Sequence, residues 1–487
     1  MHEATGNEEL TEKRICHECV REEYLAIEIE NAAVFGECTY CSGNAPSITI
    51  EELADRVDTA FEEHYVRTPD QPNDMEARWA ADRESEYDWE RRGYPVLESI
   101  EDAAGIPNDA ANDVLEILQD RYEDLDYDQM GDECEFGPES HYEERRADDR
   151  VWQENWYNFS QSLKSEARFF SHAAAEYLAE VFGNIDQDRT RDNRGAVVRA
   201  GPKTTIKHLY RARVFQNDTL LEEAMCRPDL HLGPPPTRLA RAGRMNAQGI
   251  SVFYGATSAS SAIAEVRPPV GSKVAVAKFI LTRPLRLLDL TALEDVHLTG
   301  SVFDPAFKRQ LERVAFLQRL GVRMTRPVMP DDEALDYLPT QAVADFLATM
   351  NEPRLDGIVF ASAQTRKGKN VVLFHHASKI LELSIPYGTE IVANTATQYE
   401  EGWEEDYYVF ETIPSEALPT DINSDDELNH VIPTYVDPTS QLDADTREAT
   451  LAVETESIEV HHVNSVRVNT TSNLVRRYRT AAKSWKF

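Results

Sequence analysis

"GRMNAQGISVFYGATSASSAIAEVRP", residues 243–268, brings three kinds of functional side chain close together in the sequence. A loop bounded by glycines contains Arg244 and Asn246. The run "ISVFYGAT" predicts a strand that contains Tyr254. "SASSAIAEV" predicts a short helix with a serine or threonine N-cap and with Glu265 near its end. These three elements are typical of an α/β domain, and they would place a cation, an aromatic ring and a carboxylate near one another.

The composition is that of a globular chain with a large excess of acid. The chain has 487 residues, 41% hydrophobic and 28% charged, which predicts two or three domains. Its formal net charge of −37 repels phosphate backbones and disfavours non-specific binding of DNA or RNA, although adaptation to high salt would explain the same charge. There is no apolar run of about 18 residues and no signal-peptide pattern, so we expect no membrane segment and a cytoplasmic location.

Four of the six cysteines form two C-x2-C pairs near the N-terminus: Cys16, Cys19, Cys38 and Cys41. Two intervening residues allow both thiolates of a pair to reach one tetrahedral Zn²⁺, and the spacing between the pairs is typical of a zinc ribbon. Because four sulfur ligands leave no open position for a substrate, the predicted zinc is structural. We therefore predict a zinc ribbon over residues 1–47.

Residues 48–190 predict a helical domain. Its strongest pattern, residues 151–184, predicts one long helix with a buried aromatic stripe that includes Phe170. Arg168 and His172 lie four positions apart on this predicted helix. The pair resembles the Arg/His motif of HEPN ribonucleases, although its spacing is tighter, so RNA cleavage is one alternative and a structural or regulatory role is the other.

Residues 205–390 predict a mixed α/β domain, because strands and helices alternate with too few βαβ repeats for a doubly wound sheet. Residues 391–487 predict an acidic tail. Within it, residues 399–430 are expected to be mostly loop, whereas residues 457–480 alternate like a strand or hairpin that could complete the sheet. The whole chain is therefore predicted to be an α+β multidomain protein.

Several short motifs of the third segment occur in the order found in RES-domain proteins, a family named for its recurrent Arg, Glu and Ser: "LYRAR", "GRMNAQGISVFYGA", "AIAEV", "YLPTQAVADFL", "LDGIVFAS" and "NVVLF". The N-terminal segments are similar to the HEPN-like domain attached to some members. The resemblance implies an ADP-ribosyltransferase-like fold and an enzyme that destroys NAD⁺, releasing nicotinamide by hydrolysis or by phosphorolysis with inorganic phosphate as co-substrate. It also implies a toxin paired with an Xre-type antitoxin.

The resemblance assigns the site residues as well. The two arginines of the family fall on Arg211 and Arg244, and Arg213 competes for the first assignment. The tyrosine, glutamate and serine fall, in that order, on Tyr254, Glu265 and Ser362. Ser362 is the least secure of these assignments, because "FASAQ" departs from the usual sequence around the serine.

The chemistry of NAD⁺ cleavage suits these residue types. Nicotinamide leaves as a neutral molecule, so no general acid is needed, and Glu265 is predicted to stabilise an oxocarbenium-like ribose. Guanidinium groups such as those of Arg211 and Arg244 bind phosphates in a bidentate manner. Tyr254 is predicted to pack against nicotinamide or ribose, and Ser362 to hydrogen-bond the nicotinamide ribose or amide. Asn246 is a further predicted substrate-binding residue.

Two other functions stay open at this point. Transferases that modify arginine commonly carry paired carboxylates, whereas "IAEVRP" offers one, so ADP-ribosylation of a macromolecule is the second enzymatic prediction. The chain could instead be a non-catalytic interaction module. Since constant NAD⁺ destruction would harm the host, we also expect the N-terminal region or an antitoxin to restrain the activity. The oligomeric state is left open.

Overall fold

The computed structural model describes residues 10, 12–31, 34–82, 85, 87–123, 133–365, 367–399, 402–414 and 445–479. The chain forms two compact units, one of Met1–Ala196 with Ala292–Arg323 and one of Val197–Thr291 with Met324–Phe487. The segment Ala292–Arg323 lies inside the predicted segment 205–390 but belongs to the first unit. Within the described part of the chain, no helix has the length and apolar character needed to cross a membrane.

The described residues form α-helices and strands in both units. The helices are α1 (Glu23–Asn31), α2 (Ile50–His64), α3 (Asp74–Ala81), α4 (Val96–Ala104), α5 (Asn108–Tyr122), α6 (Arg150–Ser165), α7 (His172–Phe182), α8 (Asp218–Cys226), α9 (Pro228–His231), α10 (Ala259–Glu265), α11 (Phe307–Thr325), α12 (Glu333–Asp336) and α13 (Leu338–Thr349). The strands are β1 (Arg14–Cys16), β2 (Phe35–Glu37), β3 (Asn44–Thr49), β4 (Tyr65–Arg67), β5 (Tyr94–Pro95), β6 (His141–Glu144), β7 (Arg189–Thr190), β8 (Val197–Ala200), β9 (His208–Phe215), β10 (Phe253–Ala256), β11 (Lys273–Leu281), β12 (Leu285–Asp289), β13 (Val296–His297), β14 (Gly357–Ala361), β15 (Lys369–Leu373), β16 (Ile380–Leu381), β17 (Glu390–Tyr399), β18 (Gly402–Thr412) and β19 (Leu451–His462).

The first unit begins with a small three-stranded sheet in the order β1-β3-β2, followed by helices. The helix α2 starts where the sequence predicts a cap: the Thr49 hydroxyl accepts from the Glu52 amide at 3.1 Å, and the Glu52 carboxylate accepts from the Thr49 amide at 2.9 Å. One face of α2 is buried in the core of this unit, at Leu53, Val57 and Phe61. This matches the helical spacing of its apolar residues.

The predicted single helix over residues 151–184 is two helices, α6 and α7. The backbone leaves helical geometry at Glu166, where ψ is −94°. It re-enters at Ser171, whose hydroxyl caps α7 by accepting from the Ala174 amide at 3.2 Å. The predicted burial of Phe170 is wrong, because this residue lies in the break and is 93% exposed. A serine that can cap a new helix competes with continuation of the old one.

The break also separates Arg168 from His172. Arg168 precedes α7, and its Nε donates to the Leu163 carbonyl at 3.2 Å, whereas His172 is the first residue of α7. The two side chains therefore do not share one helical face as predicted. The structure gives no support to RNA cleavage by this pair.

The segment Ala292–Arg323 is held in the first unit by buried polar and aromatic contacts. The Arg313 guanidinium donates to both carboxylate oxygens of Asp188, at 3.1 and 2.8 Å, and to the Val181 carbonyl at 2.8 Å. The ring of Phe316 packs within about 6 Å of the Trp152 and Trp156 rings. These contacts explain why a segment distant in sequence is part of this unit.

The second unit is built on a nine-stranded mixed sheet in the order β16-β19-β11-β9-β10-β15-β14-β12-β8. Most neighbours are antiparallel, but β12 runs parallel to β14, and β16 parallel to β19. This confirms the predicted mixed α/β class. The apolar residues of alternate strand positions, such as Phe253, Phe279 and Leu373, form the core on one face of the sheet.

The C-terminal tail contains more strand than its acidic composition indicated. Strand β19 pairs with β11 along residues 273–281, but it begins at Leu451 and shares only residues 457–462 with the predicted strand, and residues 463–479 form no strand. Tyr399 and residues 402–412, expected to be mostly loop, belong to the paired strands β17 and β18 instead. The aromatic and β-branched residues of "YYVF" favour a strand despite the surrounding acids. Residues 415–430 of the predicted loop lie outside the described residues.

Candidate active site

A cavity of about 430 Å³ opens in the second unit, within the usual size range of small-molecule sites. It is formed by β9, β10, the loop before β10, α10, and the segments around α12 and the β14–β15 turn. The polar and aromatic residues that line it are Tyr210, Arg211, Arg244, Tyr254, Glu265, Arg267, Glu333, Tyr337, Phe360, Gln364 and Asn370. Residues far apart in the sequence therefore meet at one place.

The loop before β10 is organised by Asn246. This residue is only 4% exposed, and its Nδ2 donates to the carbonyls of Arg241 at 2.9 Å and Ile250 at 3.0 Å. Its Oδ1 accepts from the Tyr254 hydroxyl at 3.0 Å. The carboxamide is thus fully used within the loop and does not line the cavity. In this structure the Asn246 side chain positions the loop, and substrate binding by Asn246 stays a prediction.

Arg244 is held over an aromatic ring. Its Nη1 donates to the carbonyls of Met324 at 3.0 Å and Arg326 at 2.8 Å. The guanidinium carbon lies 4.9 Å from the centre of the Tyr337 ring, which is cation–π geometry. The Arg244 carbonyl accepts from the Thr340 hydroxyl at 2.5 Å, so backbone and side chain are both fixed. Tyr337 and Thr340 come from the segment that begins α13.

Arg211, not Arg213, is the arginine of β9 that lines the cavity. Its Nη1 donates to the Tyr254 carbonyl at 2.7 Å, and its guanidinium lies 5.2 Å from the Phe253 ring centre. Burial, together with the nearby charge of Arg213, lowers the pKa of Arg211 to about 10. Arg213 is exposed and donates to the His231 carbonyl instead. Of the two arginines that compete for the first assignment, only Arg211 lines the cavity.

Tyr254 presents its ring to the cavity and uses its hydroxyl in the loop. The hydroxyl donates to Asn246 and accepts from the Met245 amide at 3.0 Å. Burial raises the pKa of Tyr254 to about 12, so the hydroxyl stays protonated at neutral pH. The ring is a candidate wall for a planar or sugar group, and the hydroxyl sets the position of the loop that carries Arg244.

Glu265 ends the short helix α10 and is oriented by two donors. The Ser362 hydroxyl donates to its Oε1 at 2.5 Å, and the Asn370 Nδ2 donates to the same oxygen at 2.8 Å. The Ser362 oxygen itself accepts from the amides of Gln364 at 3.1 Å and Thr365 at 3.2 Å. Ser362 does not line the cavity and in this structure it positions Glu265; its predicted contact with substrate stays a prediction.

Arg267 and Gln364 are among the cavity residues that the sequence did not predict. Arg267 adopts a left-handed conformation with φ of +45°, and it lines the cavity. When the Gln364 amide is oriented with its oxygen toward the guanidinium, that oxygen accepts hydrogen bonds from the Arg267 Nη2 at 2.9 Å and from the Arg267 Nε at 3.3 Å. The only sequence signal was the position of Arg267 two residues after Glu265, and that signal does not give a side-chain direction.

The cavity arginines lack acidic partners within the part of the chain that the structure describes. Among the described residues, no carboxylate forms an ion pair within 4.0 Å of Arg211, Arg244 or Arg267. This is unexpected in a chain with 87 acidic and 50 basic residues. Glu265 and Glu333 also line the cavity, but the three cations outnumber them and none is held in an ion pair by a described residue, which favours an anionic ligand.

The four predicted metal ligands lie together in the first unit. The sulfur of Cys16 is 3.7 Å from that of Cys19 and 3.6 Å from that of Cys41, and Cys19 is 3.8 Å from Cys38. Sulfurs about 2.3 Å from a tetrahedral zinc would lie about 3.8 Å apart, so the spacing fits a zinc ribbon. The four residues could therefore hold a metal ion such as zinc.

Comparison with known families finds a match that includes most of the residues around this cavity. Residues 221–395 match the family model described as RES domain, and this family is associated with NAD-related activity. The match includes Arg244, Tyr254, Glu265 and Ser362, whereas Arg211 precedes it. The comparisons with curated proteins and with solved structures gave no match.

Proposed function

The chain carries a RES domain, and from this premise we propose that it is an enzyme that releases nicotinamide from NAD⁺ in the cavity around Glu265. One observation carries the proposal. Glu265, a carboxylate oriented by two donors, shares a cavity with a second carboxylate, Glu333, and with three arginines that form no ion pair among the described residues. NAD⁺ has the matching parts, a pyrophosphate and a ribose with a cleavable bond to a positively charged ring.

The arginines would bind the pyrophosphate. Arg211 remains protonated at neutral pH even though burial lowers its pKa to about 10. The Nη1 of Arg211 donates to the Tyr254 carbonyl, and the Nη1 of Arg244 donates to two carbonyls. These hydrogen bonds hold both guanidinium groups in place before a ligand binds. Fixed guanidinium groups lose little entropy on binding an oxyanion. The exposed Arg267 at the mouth would add a third positive charge.

Glu265 would act on the ribose. As the bond between C1′ and the nicotinamide nitrogen breaks, its electron pair neutralises the pyridinium, and positive charge develops on the ribose. The Glu265 carboxylate, held by Ser362 and Asn370, would stabilise that charge. An oxygen of water or of inorganic phosphate then bonds to C1′, and with water the surplus proton passes to solvent. The ring of Tyr254 would pack against the nicotinamide ribose.

The cysteine cluster would bind a structural Zn²⁺ in the first unit. Cys16, Cys19, Cys38 and Cys41 supply four thiolates at tetrahedral spacing. Such an ion cross-links two short segments that otherwise have little core of their own. It takes no part in the chemistry proposed for the cavity.

We further propose that the enzyme serves as a toxin or defence effector. An activity that consumes NAD⁺ harms the cell that makes it, so it requires restraint. Restraint by the N-terminal region or by an Xre-type antitoxin stays a prediction.

The test is nicotinamide release from NAD⁺ by the full chain, with and without inorganic phosphate. Glu265→Gln should lower kcat by about 100-fold or more, since it removes the charge that stabilises the transition state. Arg244→Ala should mainly raise KM. Glu382→Gln is the matched control, because Glu382 is exposed and does not line the cavity. Full activity in Glu265→Gln would refute the proposed role, and a phosphate requirement would identify phosphorolysis.

A further inference from the structure

The side-chain amide of Asn370 is buried beside Glu265, and its carbonyl oxygen has no hydrogen-bond partner among the described residues. We propose that Asn370 is a specificity-determining residue whose Oδ1 accepts a hydrogen bond from a hydroxyl of the nicotinamide ribose. This inference rests on the proposed function, because it concerns the same cavity and the same substrate.

The sheet fixes the position of Asn370. It lies in β15, directly opposite Ala256 of β10 on one side and Phe360 of β14 on the other. All three residues line the cavity. The next residue, Val371, packs in the core on the opposite face, as the alternation of a strand requires. Backbone pairing on both sides leaves the Asn370 side chain little freedom to move away.

The hydrogen bond to Glu265 determines which way the amide faces. A carboxylate can only accept, so the group that lies 2.8 Å from Glu265 Oε1 must be the Asn370 nitrogen. The carbonyl oxygen Oδ1 is then directed elsewhere. It is buried, in a residue only 4% exposed, and no described residue donates a hydrogen bond to it. Buried carbonyl oxygens in proteins are nearly always paired, so this one is expected to be paired by a ligand.

The neighbouring carboxylate indicates the kind of ligand group. Ser362 and Asn370 both donate to Oε1 of Glu265, which leaves Oε2 to accept from a ligand. Asn370 and Glu265 both line the cavity, so a ligand that reaches this wall would meet two acceptors, Glu265 Oε2 and Asn370 Oδ1. Two adjacent acceptors match the neighbouring 2′ and 3′ hydroxyls of a ribose, each of which is a donor. Cleavage at C1′ beside Glu265 brings this ribose, and not the adenosine half, against the wall.

Two roles of Asn370 must be separated by experiment. If it only orients Glu265 through Nδ2, its removal slows all substrates to the same extent. If Oδ1 also binds a hydroxyl, its removal abolishes the preference for substrates that carry the hydroxyl. Ser362→Ala is the matched control, because it removes the other donor to the same Glu265 oxygen and leaves Asn370 in place.

The experiment measures kcat/KM for NAD⁺ and for its analogues lacking the 2′ or the 3′ hydroxyl of the nicotinamide ribose. It uses the full-length wild type, Asn370→Ala and Ser362→Ala. We expect the preference for NAD⁺ over one analogue to fall at least about 10-fold in Asn370→Ala and to persist in Ser362→Ala. Comparison of ratios cancels the intrinsic reactivity of each analogue.

The possible results are distinct. A preference that is the same in Asn370→Ala and wild type for both analogues would overturn the inference and leave the proposed function intact. Absence of nicotinamide release by the wild type, together with absence of calorimetric binding of NAD⁺, would overturn the proposed function itself. If Asn370→Ala is too slow to assay, calorimetric Kd values for NAD⁺ and the two analogues provide the same ratios.

Discussion

Removal of the Tyr254 hydroxyl should loosen the loop that carries Arg244. In Tyr254→Phe the ring remains, but the hydrogen bonds to Asn246 and from the Met245 amide are lost. Both partners are buried, so an acceptor and a donor are left without a partner. Each such group costs about 1–3 kcal/mol, and water entry from the adjacent cavity would offset part of this. We therefore expect the free energy of loop opening to fall by about 2 kcal/mol.

Hydrogen exchange of the loop amides measures this quantity directly. A decrease of about 2 kcal/mol corresponds to exchange roughly 30-fold faster at Met245 and its neighbours, with little change in the distant core of the sheet. Tyr210→Phe is the matched control, because Tyr210 also lines the cavity but its hydroxyl has no hydrogen-bond partner among the described residues. Unchanged loop exchange in Tyr254→Phe would mean that Thr340 and other contacts hold the loop, and would refute the reasoning.

Two further predictions concern the first unit. Cys41→Ser should reduce bound zinc and lower the unfolding midpoint, as measured by elemental analysis and urea titration, whereas Cys134→Ser, outside the cluster, should leave zinc content unchanged. Burial lowers the pKa of His64, so below about pH 6.5 the unfolded chain takes up a proton that the folded chain does not. The free energy of unfolding should therefore decrease from pH 7 to pH 5, and it should decrease by less in His64→Leu than in the wild type. Equal decreases in the two proteins would contradict this prediction.

The sequence predicted elements best where the signals are local. The cap formed by Thr49 and Glu52 involves residues three apart and was read correctly. The break before α7 was missed because the apolar periodicity continues across it, although Ser171 could have indicated a new cap. The hairpin β17–β18 was missed because acidic composition outweighed the strand propensity of Tyr408 and Phe410.

For the site, the sequence indicated which residues converge but not the function of each. Arg244, Tyr254 and Glu265 do line one cavity. Asn246 and Ser362 lie beside it with their polar groups used by the protein itself. Which way a polar side chain faces depends on contacts with distant segments, and such contacts leave no local pattern. For the same reason, no local pattern in the sequence indicates that the segment Ala292–Arg323 belongs to the first unit.

This interleaved arrangement has a consequence for biosynthesis. After Ala196 has been made, the ribosome adds roughly a hundred residues, at about 5–20 per second, before the segment that contains Arg313 and Phe316 is available. For several seconds the nascent first unit exposes Trp152 and Trp156 and lacks the cation that neutralises Asp188. The last cavity residue in the chain, Asn370, is added later still. Every residue of the first unit has therefore been synthesised before the cavity can be complete.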